Sequence, residues 1–403
     1  MTEPLRAIQI SDHVFWVGAI DWAVRDFHGY LTQRGSSYNA YVILADKVTL
    51  IDTVKHSFER EMVTRIASVV DPQRIDYLIS NHAELDHSGC IPQMIHKLRP
   101  ERVFASTRGV AALADHFHLD EEITAVKDGE SLSLGNMAVT FVETPMLHWP
   151  ESMFTYLGDE RVLFSNDAFG MHLASSERFA DQVDDAVVEC EAAKYFANIL
   201  MPLSPLVKKL LDRVAKLNLD LDVIATSHGP IWRANWHKVL ELYAAWAERK
   251  PANKALVVYD TMWQSTAAMA QAVCDGLISG GASAVLMPLK ASHRSDVAAE
   301  LLDAGALLVG SPTLNGGMLP AVADVLTYLK GLKPRNLVGA AFGSYGWGGE
   351  AVAQVEAMLK EMQVEVVADS VKVRYVPNDS ALGDCFALGA AVAEKLKGLD
   401  AAD

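Results

Sequence analysis

Four times in its first half the chain runs an apolar strand straight into side chains that can hold a metal: "IDYLISNHAELDH", "MAVTFVETPMLH", "RVLFSND" and "DVIATSH". That repetition restricts the fold more than any composition figure. In a layered α/β domain the ends of neighbouring strands converge on one rim, so residues far apart in sequence meet there. The segments would then assemble His82, Glu84, Asp86, His87, His148, Asp167 and His228, four imidazoles and three carboxylates. Such a set is too large for one tetrahedral zinc and suits two metals ~3.5–4 Å apart sharing a carboxylate. Asp167, alone at its strand end, is the expected bridge.

Each residue taken singly has a plainer role, a hydrogen-bonded structural histidine for His148 or His228 and a helix cap for Asp167. Shared placement is what carries the metal reading. His116 and His118, in the charged helix end "ADHFHLDEE", are expected at the surface. His172 is either a neighbour of the centre or no part of it.

From Lys254 the rhythm changes. "KALVVYD", "ASAVLMPL", "ALLVGSP", "NLVGAAFGS" and "VEVVADSVKV" read as strands separated by amphipathic helices, which predicts a parallel sheet covered on both faces. The first half is less regular, with a hairpin in "NAYVILADKVTLIDT", a mostly helical stretch from about Ser175 to Leu217, and a long helix from about Asn235 that Pro251 ends. Two domains follow, residues 1–250 and 251–403.

The first loop after a second-half strand, Thr261, Met262, Trp263, Gln264, Ser265 and Thr266, offers hydroxyls and backbone N–H groups at a helix start, a site for a phosphate dianion. It carries neither the triphosphate-loop nor the dinucleotide motif, so a monophosphate such as FMN fits better. Two later loops, Pro312, Thr313, Leu314, Asn315 and Gly316, then Ser344, Tyr345, Gly346, Trp347, Gly348 and Gly349, follow the third and fourth strands. They are placed to hold a flavin ring at the switch point of a flavodoxin-like sheet, with Trp347 packing on it.

Bulk features exclude several classes. A formal net charge of −16 argues against a nucleic-acid partner. No run approaches ~20 uninterrupted apolar residues, and "MTEPLRAIQISDHVFW" has no leader pattern, so a soluble cytoplasmic protein with no membrane partner is expected. Cys90, Cys190, Cys274 and Cys385 are too scattered for a rubredoxin-type centre.

"HAELDH", "LHWPESM", "FSNDAFG" and "TSHGP" resemble the metal-binding core of the metallo-β-lactamase superfamily, whose hydrolases usually read H-x-H-x-D-H. Glu84 stands where those enzymes have a second histidine, which makes the site more anionic and favours iron over zinc. Joined to a flavin module, the whole chain resembles the flavodiiron proteins (A-type flavoproteins), especially their rubredoxin:oxygen oxidoreductase-like members. The resemblance implies an N-terminal metallo-β-lactamase-like αββα sandwich and a C-terminal flavodoxin-like doubly wound sheet.

It also implies a di-iron centre of two iron ions. His82, Glu84, His148 and Asp167 would hold one, and Asp86, His87, Asp167 and His228 the other, with His87 replaceable by water. FMN, a head-to-tail homodimer, a separate rubredoxin as donor, and reduction of O2 to water, of NO to N2O, or of both are implied as well. The residues leave two alternatives open, a di-zinc hydrolase with a flavodoxin-like appendage and a non-catalytic electron-transfer module.

Overall fold

The computed structural model describes residues 5–119 and 122–400, so Asp120 and Glu121 of the charged helix end lie outside it. The chain forms two compact units. One comprises residues up to 28, 32–195 and 205–244; the other comprises 29–31, 196–204 and 245 onward.

Among the described residues of the first unit, seven strands form one sheet in the order Ile8–Gln9, Val14–Trp16, Tyr41–Ile43, Thr49–Ile51, Tyr77–Ser80, Arg102–Ser106 and Ile123–Val126. Five more form a second sheet: Ser131–Ser133, Ala138–Glu143, Met153–Leu157, Val162–Phe164 and Val223–Ala225. Alternation along each strand divides the core, because successive side chains point to opposite faces. Leu78 joins Met62, Ile66, Ile91 and Met94 of the covering helices. Its neighbour Ile79 joins Phe141, Met153 and Phe164 of the second sheet. Each such large apolar side chain contributes about 1.5–3 kcal/mol on burial, so two clusters built this way hold the layers together. The expected hairpin is present, with Tyr41–Ile43 antiparallel to Thr49–Ile51.

The expected helical stretch from Ser175 begins later. Ser175 to Arg178 form a turn in which the Ser175 hydroxyl accepts the Glu177 N–H at 3.2 Å, and the first long helix there is Asp185–Tyr195. The helix placed at Asn235 runs over His237–Glu248.

In the second unit the strands lie in the order Ser283–Pro288, Ala252–Tyr259, Ala304–Gly310 and Val338–Tyr345, all parallel, with two short strands beyond. This is the flavodoxin-like order, second strand beside the first and the first beside the third. Ala304–Gly310 is buried at every position, as a strand covered on both faces must be. The helices Ser265–Ser279 and Asp379–Asp400 meet backbone to backbone, since a Cβ on Gly389 would lie 2.0 Å from the Val273 carbonyl oxygen. The fifth expected strand is broken into Glu365–Val366 and Val371–Arg374. Between them the Ser370 hydroxyl donates to Glu356 at 2.7 Å.

Candidate metal centre and flavin cavity

The expected ligands meet at one rim of the first unit. The strand Tyr77–Ser80 delivers His82 and Glu84, and the short helix Leu85–Ser88 carries Asp86 and His87. His148 follows Ala138–Glu143, Asp167 follows Val162–Phe164, and His228 follows Val223–Ala225. Asn81 fixes the first of these ends to both sheets: its amide donates to Asp52 Oδ2 at 3.0 Å, and its side-chain oxygen accepts from the Thr155 hydroxyl at 2.7 Å. Asn166 and Phe169, either side of Asp167, take φ of 41° and 69°. Such left-handed backbone at non-glycine residues gathers at functional sites.

The seven side chains divide into two groups about Asp167. On one side, Asp167 Oδ2 lies 3.1 Å from His148 Nε2 and 3.4 Å from His82 Nε2, and Glu84 Oε2 lies 3.2 Å from each of those nitrogens. On the other, Asp167 Oδ1 lies 3.1 Å from His87 Nε2 and 3.3 Å from His228 Nε2. Asp86 offers Oδ1 to His87 at 3.4 Å and Oδ2 to His228 at 3.2 Å. His87 is turned inward, with its ring fully buried.

These spacings test whether metal ions fit. Ligand atoms about 2.1 Å from a shared cation lie about 3.0 Å apart at octahedral and about 3.4 Å apart at tetrahedral vertices. The observed range matches. Both oxygens of Asp86, Oδ1 of Asp167 and both ring nitrogens of His87 are buried without a hydrogen-bond partner. Buried polar groups are rarely left so; the Asp86 and Asp167 oxygens and His87 Nε2 converge on common points. Either carboxylate oxygen of Asp167 addresses a different group, which is the geometry of a bridge.

The electrostatics agree. Burial pushes the Glu84 carboxyl up, but hydrogen bonds with His148 and His82 outweigh it and hold the group well below the usual carboxylate range. Burial likewise opposes charge on His87, yet the carboxylates of Asp86 and Asp167 raise its pKa to about 9. Protons on these rings sit at a centre that attracts positive charge, and cation binding releases them.

His228 is aimed by its other nitrogen, Nδ1, which lies 2.6 Å from the Ser37 carbonyl. The glycine after it is required: Gly229 has φ of +75°, and a Cβ there would lie 2.6 Å from Met171. His172 is buried, its Nδ1 is 2.8 Å from the Ser36 hydroxyl, and its ring centroid is 4.7 Å from that of His228, so it borders the centre. His116 and His118 are exposed. Sequence reasoning passed over Glu151, buried against His82, and Ser37. Neither has a residue-type signal, because their partners stand 69 and 191 residues away in the chain.

In the second unit the three loops border a cavity of about 600 Å³. All the expected flavin-contact residues line it except Thr261, Gln264, Thr266 and Gly349. Thr266 instead turns inward, its hydroxyl 3.0 Å from that of Ser344, tying the first loop to the third. Gln264, at φ of 68°, precedes the helix Ser265–Ser279. The Thr261 hydroxyl is buried with no hydrogen-bond partner, so the first loop keeps a donor for an anion. Glu350, Tyr375 and Val376 also line the cavity and were not anticipated. Trp263 and Trp347 stand at its mouth, 90% and 95% exposed. A cradle of this size, lined apart from Glu350 by uncharged side chains and joined to a phosphate-type loop, fits FMN.

Comparison with known proteins gives the same two parts. The family profile described as ODP family beta lactamase matches residues 37–229, and the one described as Flavodoxin matches residues 257–389. A nitric oxide reductase of Moorella thermoacetica is 47% identical over 400 residues, spanning 98% of this chain and 100% of that protein. The structure of rubredoxin oxygen:oxidoreductase from the anaerobe Desulfovibrio gigas superposes with a TM-score of 0.96 at 43% identity, covering 98% of this chain and 100% of that one. A flavodiiron protein from Giardia intestinalis gives a TM-score of 0.95 at 32% identity, covering 99% and 98%.

Proposed function

The chain belongs to the flavodiiron family, its relatives matching over nearly its full length, and on that premise we propose that it is an oxidoreductase passing electrons from rubredoxin through FMN to a di-iron site. There it reduces O2 to water, NO to N2O, or both. The observation that carries this reading is the two-sided placement of Asp167, with one carboxylate oxygen toward each ligand group.

His82, Glu84, His148 and Asp167 would hold one iron, and Asp86, His87, Asp167 and His228 the other. Glu84 adds negative charge where a zinc hydrolase of similar pattern has an imidazole, which favours iron. When bound, the irons and the flavin together supply the four electrons that O2 needs, or the two that a pair of NO molecules needs. The chain's own part is to hold the ligand atoms at fixed spacing and to keep solvent off all but Glu84 and His148, whose side chains are 12% and 18% exposed. In the second domain, the Thr261–Thr266 loop would hold the phosphate, and Trp263 and Trp347 would pack on the ring.

A head-to-tail homodimer is part of this reading, one subunit's flavin facing the other's irons. Its support is the distribution of exposed apolar side chains: Leu85 and Met146 beside the metal ligands, and Met262, Trp263, Trp347, Tyr375 and Val376 around the flavin cavity. Among the described residues no helix is long and apolar enough to cross a membrane. We place the protein in the cytoplasm, with residues 1–250 as the metal domain and 251–403 as the flavin domain. Anaerobic assays with reduced rubredoxin and a pulse of O2 or NO test the function. Steady consumption of either gas is expected, and no consumption of either by protein loaded with iron and FMN overturns it.

A further inference from the structure

Nε2 of His82, His87 and His228 faces the metal centre, and the far nitrogens of these rings meet different surroundings. Nδ1 of His228 lies 2.6 Å from the Ser37 carbonyl and 3.4 Å from the Ser36 hydroxyl, both neutral. Nδ1 of His87 is buried without a hydrogen-bond partner. Nδ1 of His82 lies 2.8 Å from Oε1 of Glu151, an anion.

Glu151 is well fixed for this contact. Its side chain is 4% exposed, and the same Oε1 accepts the Ala83 N–H at 3.0 Å. Its backbone carbonyl accepts the Ser106 hydroxyl at 2.6 Å. Its hydrogen bonds go to the far nitrogen of His82 and to the Ala83 backbone beside it, so its influence reaches the centre through that ligand segment. A carboxylate on the distal nitrogen of a ligand histidine fixes the tautomer with Nε2 free and raises the ring's basicity. A more basic donor binds its cation more tightly and favours the more oxidised state of that ion.

We propose that Glu151 is a positioning residue that makes the two irons unequal, tightening the site of His82, Glu84 and His148 and lowering the reduction potential of its iron relative to the other. The inference rests on the two-iron reading of the site. It is distinct from that reading, because two irons can be held without any such asymmetry.

The test is Glu151→Gln in the full chain, since the amide oxygen can still accept from His82 and Ala83 while the charge is lost. Anaerobic Fe(II) titration of the metal-free proteins is followed by reductive titration of the loaded ones, with Mössbauer spectra of each. Glu151→Gln should weaken one of the two ions about tenfold, the lower end of outer-ligand effects, and leave the other unchanged. The more negative iron potential should rise toward its partner, with one of the two Mössbauer sites altered. Equal weakening of both ions, or no change in either affinity or potential, overturns the role of Glu151. Should the variant not fold, the unaltered protein still decides: its two irons must titrate at separate potentials, and a single merged wave overturns the inference. A native chain that binds no pair of cations instead defeats the two-iron reading itself.

Discussion

The metal centre and the flavin cavity are built on opposite plans. The first is a closed cluster of ionisable side chains that follow strand ends or sit on the short helix Leu85–Ser88, and Asp167 at its middle is 2% exposed. The second is an open cradle of backbone loops and, apart from Glu350, uncharged side chains, with its two tryptophans 90% and 95% exposed. A site that must hold cations needs fixed anions shielded from water, because their attraction is strong only where the dielectric is low. A site that must bind a flat, uncharged ring and exchange electrons with another protein needs apolar faces near the surface. On the proposed reading, the difference puts reduction of gases inside one unit and electron entry at the edge of the other.

Independent substitutions should separate the two sites. Asp167→Ala is expected to have the largest effect: both cations lose a shared ligand, iron content drops toward zero, gas reduction ceases, and FMN content stays at the native level. Metal analysis and flavin absorbance on one sample check this, and a variant that keeps both irons and its activity removes Asp167 as the bridge. Chelation of the metals should lower stability next most. A ligand present at a thousandfold excess over its dissociation constant stabilises by about 4 kcal/mol, so the metal unit's transition in calorimetry should fall by several degrees while the flavin unit's stays put. A common downward shift of both would break the comparison.

Smaller effects belong to the flavin side. Trp347→Ala should weaken FMN by about tenfold, the upper end of what an aromatic contact contributes, about 1.5 kcal/mol. Fluorescence titration of the flavin-free chain reads it, and iron content is expected unchanged. Thr261→Val should cost least, about 1 kcal/mol for one hydrogen bond. It should act on FMN and not on riboflavin, which carries no phosphate; an equal loss for both would remove Thr261 from phosphate binding.

The same contrast explains what was legible in the sequence. The strand ends carrying His82, His148, Asp167 and His228 could be read because residue type and strand position coincide, and the structure brings all seven side chains to one place. The parallel order of the second sheet followed from its rhythm of apolar runs. Contacts made by the far side of a ligand could not be read: Glu151 is an ordinary acid in "LHWPESM" until the fold sets it 2.8 Å from His82. Loop backbone was only half legible, since Thr266 looks like a phosphate ligand in sequence but is spent on Ser344. The grouping of residues 29–31 and 196–204 with the second unit has no periodic signature, as it depends on tertiary packing alone.

The central claim, that this fold joins two irons to one flavin, is tested most directly by elemental and flavin analysis of the purified protein. The account predicts about two irons and one FMN per chain, two metals being what a bridged carboxylate cluster holds. Two zincs with no flavin would contradict it and assign "HAELDH" to a hydrolase.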